Sequence, residues 1–240
     1  MSDGIKHECG IVLLRLRKPL QYYIDKYKTP SYAVNKMYLL MQKQLNRGQD
    51  GVGVANIKID MEPGYRYISR YRTIDSQPIE TLFQKIGRKY QKALKEGEEK
   101  YMDGAWLKQN IAFSGEVWMG HLRYGTHGKN NIENCHPFLR QNNWRSRNLV
   151  VAGNFNMTNV DELFEKLIEL GQHPKEKVDT VTAMEKIGHF LDEENELIFR
   201  KHKKIHSKAD LTQLIEDKID LQRVLNRSCK DFDGGYAITG

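Results

Sequence analysis

Cysteine is scarce in this chain: Cys9, Cys135 and Cys229 are the only three in 240 residues. An odd number with no zinc-like spacing excludes a disulfide framework and leads us to expect a reducing, cytoplasmic setting. No apolar run approaches the roughly 18–20 residues that span a bilayer, so no membrane helix is expected. Residues 1–8 lack the apolar core of a secretory signal. There are no internal repeats or low-complexity tracts, and 39% hydrophobic with 29% charged residues is a globular composition. Acidic residues are outnumbered, giving a net charge of +7. The densest basic run, Arg200-Lys201-His202-Lys203-Lys204, has no interleaved aromatics on which bases could stack. We read it as a solvated face, with a subunit contact as the other use, and expect neither nucleic-acid nor membrane binding.

What the chain does have is a mixture of strand and helix signals. Residues 8–16 read as a buried strand, since Ile11, Val12, Leu13 and Leu14 are contiguous and apolar. Residues 20–30, rich in Tyr and Lys, read as loop. A helix starts after Ser31 and ends at Gly48, read as a left-handed cap. Residues 51–57 and 65–71 read as strands, and 79–95 as an amphipathic helix carrying Ile79, Leu82, Phe83, Ile86, Tyr90 and Leu94. Residues 96–113 read as irregular. Strands follow at 116–122 and 148–152. Asn159 with Glu162 reads as a capping box opening a helix to Gly171. Two more helices follow, one through Val181 and Leu191 and one from Lys208 through Val224, before a final strand at 234–240. Without strict βαβ alternation, this mixture predicts an α+β fold, layered as an αββα sandwich.

Chemistry concentrates at the ends of apolar runs, where sites usually lie. Cys9-Gly10-Ile11 opens the first strand. Arg47-Gly48-Gln49-Asp50 follows the first helix. Gly120-His121-Leu122-Arg123-Tyr124-Gly125-Thr126-His127-Gly128 closes a strand, Asn154-Phe155-Asn156-Met157-Thr158-Asn159 closes another, and Asp179-Thr180 opens a helix. Were residues 1–8 removed, Cys9 would carry a thiol and a free α-amine. These titrate at about 8.5 and about 7.7–8.0, so near neutrality the amine can take the thiol's proton. Cys135-His136, before Pro137, is half of a metal pair with no second half nearby, so no metal is expected there. His121 reads as a core residue and Cys229 as a plain thiol.

These five stretches, in this order, resemble the class II glutamine amidotransferases, whose glutaminase domain is an N-terminal-nucleophile hydrolase. Within that family, Arg47-Gly48-Gln49-Asp50 looks most like the amidophosphoribosyltransferases of purine synthesis. The resemblance spans 9–240, with 17–35 and 58–115 divergent. It implies a four-layer αββα sandwich, with 1–8 a propeptide and 9–240 a glutaminase domain incomplete at its C-terminal end. Cys9 would be the nucleophile. The Asn154 side chain and the Phe155 backbone N–H would donate to the oxyanion. Arg123 and Asp179 would hold the α-carboxylate and ammonium of glutamine, with Tyr124, Thr126 and His127 lining the pocket. Phe155 departs from the pattern, which has glycine there; a positive φ at that position would strain it. The implied partners are glutamine, a phosphoribosyltransferase domain or subunit, and further copies of the chain. No cofactor is implied within this stretch. Mg2+ would belong with the phosphoribosyltransferase domain, and an iron–sulfur cluster, which some relatives carry, would have its ligands beyond Gly240. Another class II amidotransferase and a non-catalytic version of the fold stay open as alternatives.

Overall fold

A computed structural model describes residues 8–125, 131–204 and 207–240, with side chains described throughout except at positions 208 and 209. Among these residues the chain is α+β, with two sheets and nine α-helices. It forms two compact units. The first holds the described residues up to Pro137 together with Ala152–Asn154 and Thr239; the second holds Phe138–Val151, Phe155–Ile238 and Gly240.

The first unit is built on an antiparallel sheet of four strands, β1 (Gly10–Arg15), β2 (Gly51–Ile57), β3 (Ile68–Thr73) and β4 (Val117–Arg123), in the order β1-β4-β2-β3. Strand β2 is interior and buried along nearly its whole length, whereas β1 is an edge strand. That placement corrects the expectation of a wholly buried first strand: Val12 faces the core, but Leu13 is 56% exposed. Helices α1 (Leu20–Tyr27), α2 (Tyr32–Gln42), α3 (Pro78–Lys95), α4 (Glu98–Tyr101) and α5 (Gly104–Asn110) complete the unit. Its core joins Val12, Ile24, Met37, Met41, Val54, Leu82, Ile86, Leu107 and Trp118.

Two stretches expected to be irregular are helical. In α1, Leu20 and Ile24 are buried one turn apart, and Tyr23, Tyr27 and Tyr32 stack at 4.2–6.5 Å between ring centroids. Aromatic packing thus supplies what a sparse apolar pattern did not announce. In α5, Asp103 caps the helix by accepting from the Ala105 and Trp106 N–H groups. Gly48 is extended (φ −162°, ψ 129°), not left-handed, and the preceding residues form a 3-10 turn, Leu45–Arg47. Asn56 on β2 is fully buried and satisfied: its amide donates to the Gly115 and Val117 carbonyls and accepts from the Gly115 N–H.

The second unit carries β5 (Phe138–Arg140), antiparallel to β6 (Leu149–Met157), with β7 (Gly234–Thr239) on the other side of β6. Strand β6 runs five residues beyond the predicted 148–152 and contributes its middle, Ala152–Asn154, to the first unit. Helices α6 (Val160–Glu169), α7 (Asp179–His202), α8 (Lys208–Lys218) and α9 (Leu221–Cys229) follow. The predicted third helix is therefore two, because Ile219 leaves helical geometry (ψ 122°) and Asp220 starts a new cap on the Arg223 N–H. Asn159 does not cap α6. Its side chain instead donates to the Asp231 carbonyl and accepts from the Asp233 N–H. The basic run Arg200–Lys204 ends α7, where cations complement the helix dipole. Among the described residues no helix is long and apolar enough to cross a membrane.

Candidate active site

The register of β1 on β4 pairs Gly10 with Leu122, which carries Cys9 to the Arg123–Tyr124 end of β4. There the thiol is half-buried, its sulfur 3.5 Å from the Tyr124 N–H nitrogen and 4.0 Å from the Tyr124 carbonyl oxygen. Arg123 is buried at 7% exposure. A buried guanidinium keeps its charge, so it must be matched by anionic or carbonyl partners.

The Arg47-Gly48-Gln49-Asp50 turn packs against this end of β4. A methyl group on Gly48 would stand 2.5 Å from the Arg123 carbonyl carbon, so only glycine allows the approach. The Asp50 N–H donates to the Arg123 carbonyl at 3.1 Å, and the Asp50 carboxylate accepts from the Gly125 N–H at 2.7 Å. Gln44 reaches back to β1, donating to the Ile11 carbonyl at 3.1 Å. Gln44 thereby braces the strand that follows Cys9, and the 47–50 turn braces the residues around Arg123.

Asn154, from the middle of β6, belongs to the same unit. Its amide nitrogen lies 3.4 Å from the Glu8 carboxylate, which also takes an ion pair from Arg47 at 3.2 Å. The backbone of Gly153, just before Asn154, is held by two imidazoles: the Gly153 carbonyl lies 3.1 Å from His121 Nε2, and the Gly153 N–H donates to His136 Nδ1 at 3.0 Å. Burial lowers the pKa of both histidines, His121 to about 4, so both are neutral. Cys135 is fully buried with its sulfur against Gly51. Burial pushes its thiol pKa up. Thus Cys135 and His136 point to different tasks, and among the described residues no three His, Cys, Asp or Glu side chains converge as a metal site.

Thr126 and His127 lie outside the described residues, as do positions 1–7 of the expected propeptide. Phe155 and Asp179 belong to the second unit. Phe155 lies within strand β6, so its backbone is extended there. Asp179 is the first residue of α7 and accepts from the Thr180 N–H at 2.6 Å; burial raises its carboxyl pKa. Sequence reasoning singled out Cys9, Arg123 and Asn154, which the first unit brings together. It missed the histidine clamp on Gly153, because the link crosses 32 and 17 residues with no local spacing to announce it.

Set against known proteins, the chain matches no family model. It is similar to an amidophosphoribosyltransferase of Archaeoglobus fulgidus, 28% identical over 109 residues. That match covers 44% of this chain and 23% of the relative, so the chain matches less than a quarter of that protein's length.

Proposed function

We propose that this chain is the glutaminase part of a class II glutamine amidotransferase of the amidophosphoribosyltransferase kind, with Cys9 as nucleophile. The observation that carries this reading is the gathering in one unit of the Cys9 thiol, the Arg47–Asp50 turn, buried Arg123 and Asn154. The similarity to an amidophosphoribosyltransferase supports it. On this reading the four-layer αββα sandwich of N-terminal-nucleophile hydrolases is the fold, residues 1–8 are a propeptide, and 9–240 are the glutaminase domain.

The chemistry requires that Glu8 be cleaved from Cys9, since an amide nitrogen is no base. The freed α-amine then takes the thiol proton, and the thiolate attacks the side-chain amide carbon of glutamine. The Asn154 amide donates to the oxyanion that forms; removing one such donor typically costs about 2.7–4 kcal/mol. Collapse expels ammonia, which leaves with the proton carried by the amine, and a glutamyl thioester remains for water to hydrolyse. Arg123 forks onto the substrate carboxylate. The resemblance alone assigns the Phe155 N–H to the oxyanion, Asp179 to the substrate ammonium, and Tyr124, Thr126 and His127 to the pocket. Ammonia would pass to a phosphoribosyltransferase domain or subunit. Any Mg2+ would belong with that partner.

The test is intact mass followed by a glutaminase assay. A mature chain beginning at Cys9 that releases ammonia and glutamate, while Cys9→Ala releases neither, supports the reading. An unprocessed wild type without activity, even after residues 1–8 are removed proteolytically, overturns it in favour of a non-catalytic version of the fold.

A further inference from the structure

We propose that His121 and His136 are positioning residues that clamp the backbone of Gly153 on both sides of its Cα and so aim the Asn154 amide that follows it. The inference rests on the glutaminase reading of this site and deepens it, since neither histidine touches the substrate in that scheme.

The geometry is specific. His121 is an interior residue of β4, opposite Ile11 on β1 and Gly53 on β2. It is 1% exposed, and its Nε2 faces the Gly153 carbonyl at 3.1 Å. His136 is 7% exposed and its Nδ1 receives the Gly153 N–H at 3.0 Å. The two rings stack with centroids 4.2 Å apart and planes 22° apart. Gly53 makes the slot for this stack: the His136 carbonyl oxygen occupies the space a side chain at position 53 would need. The two successive peptides that flank the Gly153 Cα are thus gripped, one by its N–H and the next by its carbonyl, by two rings fixed against each other and against the central strands.

This pattern assigns the tautomers. His136 Nδ1 accepts, so its proton is on Nε2; His121 Nε2 faces a carbonyl, so it too must carry the proton. His136 must be neutral to accept at Nδ1, His121 could donate from Nε2 in either form, and burial keeps both rings neutral. The arrangement has a cost, because His121 Nδ1 is buried with no hydrogen-bond partner among the described residues. An apolar pair would fill the same volume without stranding an acceptor. What an apolar pair could not do is fix the orientation of the two peptides that flank Gly153. In β6 the next residue is Asn154, so a rotation at 153 would swing the amide that follows.

The experiment uses the mature chain beginning at Cys9. His121→Leu and His136→Leu should each lower kcat for glutamine hydrolysis by about 10-fold or more, with KM changed less than about twofold, as for an interaction made in the transition state. His121→Gln places an amide donor near the lost Nε2, and His136→Asn an acceptor near the lost Nδ1. Each should recover most of kcat. Nitrogen-15 spectra of the wild type should show two neutral, Nε2-protonated rings at pH 7. Leucine variants with wild-type kcat would overturn the inference while leaving the glutaminase reading intact. So would amide variants as impaired as the leucine ones at equal melting temperature, or an Nδ1-protonated His136. A mature wild type with no glutaminase activity removes both readings together.

Discussion

Gly48 and the Arg123 backbone are in contact so close that a single methyl group at position 48 would stand 2.5 Å from the Arg123 carbonyl carbon and 2.6 Å from its oxygen. Two motifs 75 residues apart therefore meet backbone to backbone. Gly48→Ala should push the 47–50 turn away from β4 and break the Asp50 N–H bond to Arg123. We expect a rise of about 10-fold or more in KM for glutamine, through a displaced Arg123, with a loss of about 1–3 kcal/mol in stability, the usual range for overpacking. Steady-state kinetics and urea titration measure both.

Acid should destabilise the first unit through its buried histidines. In the native chain burial holds the pKa of His121 near 4 and that of His136 well below its ordinary value, with the Arg123 charge acting in the same direction. Unfolded, each titrates at about 6.5. Between those limits the unfolded chain binds more protons, so stability is intact above about pH 6.5 and is lost as pH falls toward 4. The loss due to His121 is on the order of 3 kcal/mol. Urea midpoints measured across this range should fall for wild type and fall less steeply for His121→Gln.

Asn56 is the polar staple of the first sheet, with three hydrogen bonds to the Gly115–Val117 backbone from a fully buried side chain. Asn56→Leu removes the staple and takes from the Gly115 N–H its side-chain acceptor, while the Gly115 carbonyl keeps the Trp118 indole N–H. We expect about 2–4 kcal/mol of lost stability, most of it the cost of stranded polar groups. Chemical denaturation reads it directly, and a change below about 0.5 kcal/mol would contradict the assignment.

Lys58 is buried at the end of β2 and donates to the Lys108 carbonyl. Burial first, and then the neighbouring Lys108 charge, lowers its pKa to about 8. The unfolded chain therefore holds more protons between about pH 8 and 10.5, and stability from this group rises with pH across that window. Lys58→Met should stabilise the chain by about 1–2 kcal/mol at pH 7, where the charge is still buried, and show no gain above about pH 10. Thermal melts at the two pH values separate these outcomes.

The elements that sequence made legible are those whose periodicity is enforced by a core. Helix α3 was expected at 79–95 and spans Pro78–Lys95, because Ile79, Leu82 and Ile86 all face the same interior. Helices α1 and α5 went unread for the opposite reason. Each buries only two residues and depends on tyrosine stacking or a single Asp cap. Gly48 reads in sequence as a left-handed helix cap, whereas its role is steric and depends on a strand far away in sequence. At the candidate site, motifs named the residues that carry reactive groups. They mark His136 only as half of a metal pair, because its task is defined by the backbone it touches and not by its own spacing.

Cys9 stands one residue before an edge strand whose pairing runs without interruption from Gly10 with Leu122 to Arg15 with Val117. A pleated strand has a period of two, so this register can change only in whole steps, each of which turns every side chain to the opposite face. The thiol's location is therefore digital. Thermal motion can blur it, but only a wholesale slip can relocate it, and a slip of one residue would bury Leu13 and expose Val12. The six consecutive pairs between the two strands, all of which a slip must break, are what lock the sulfur beside Tyr124.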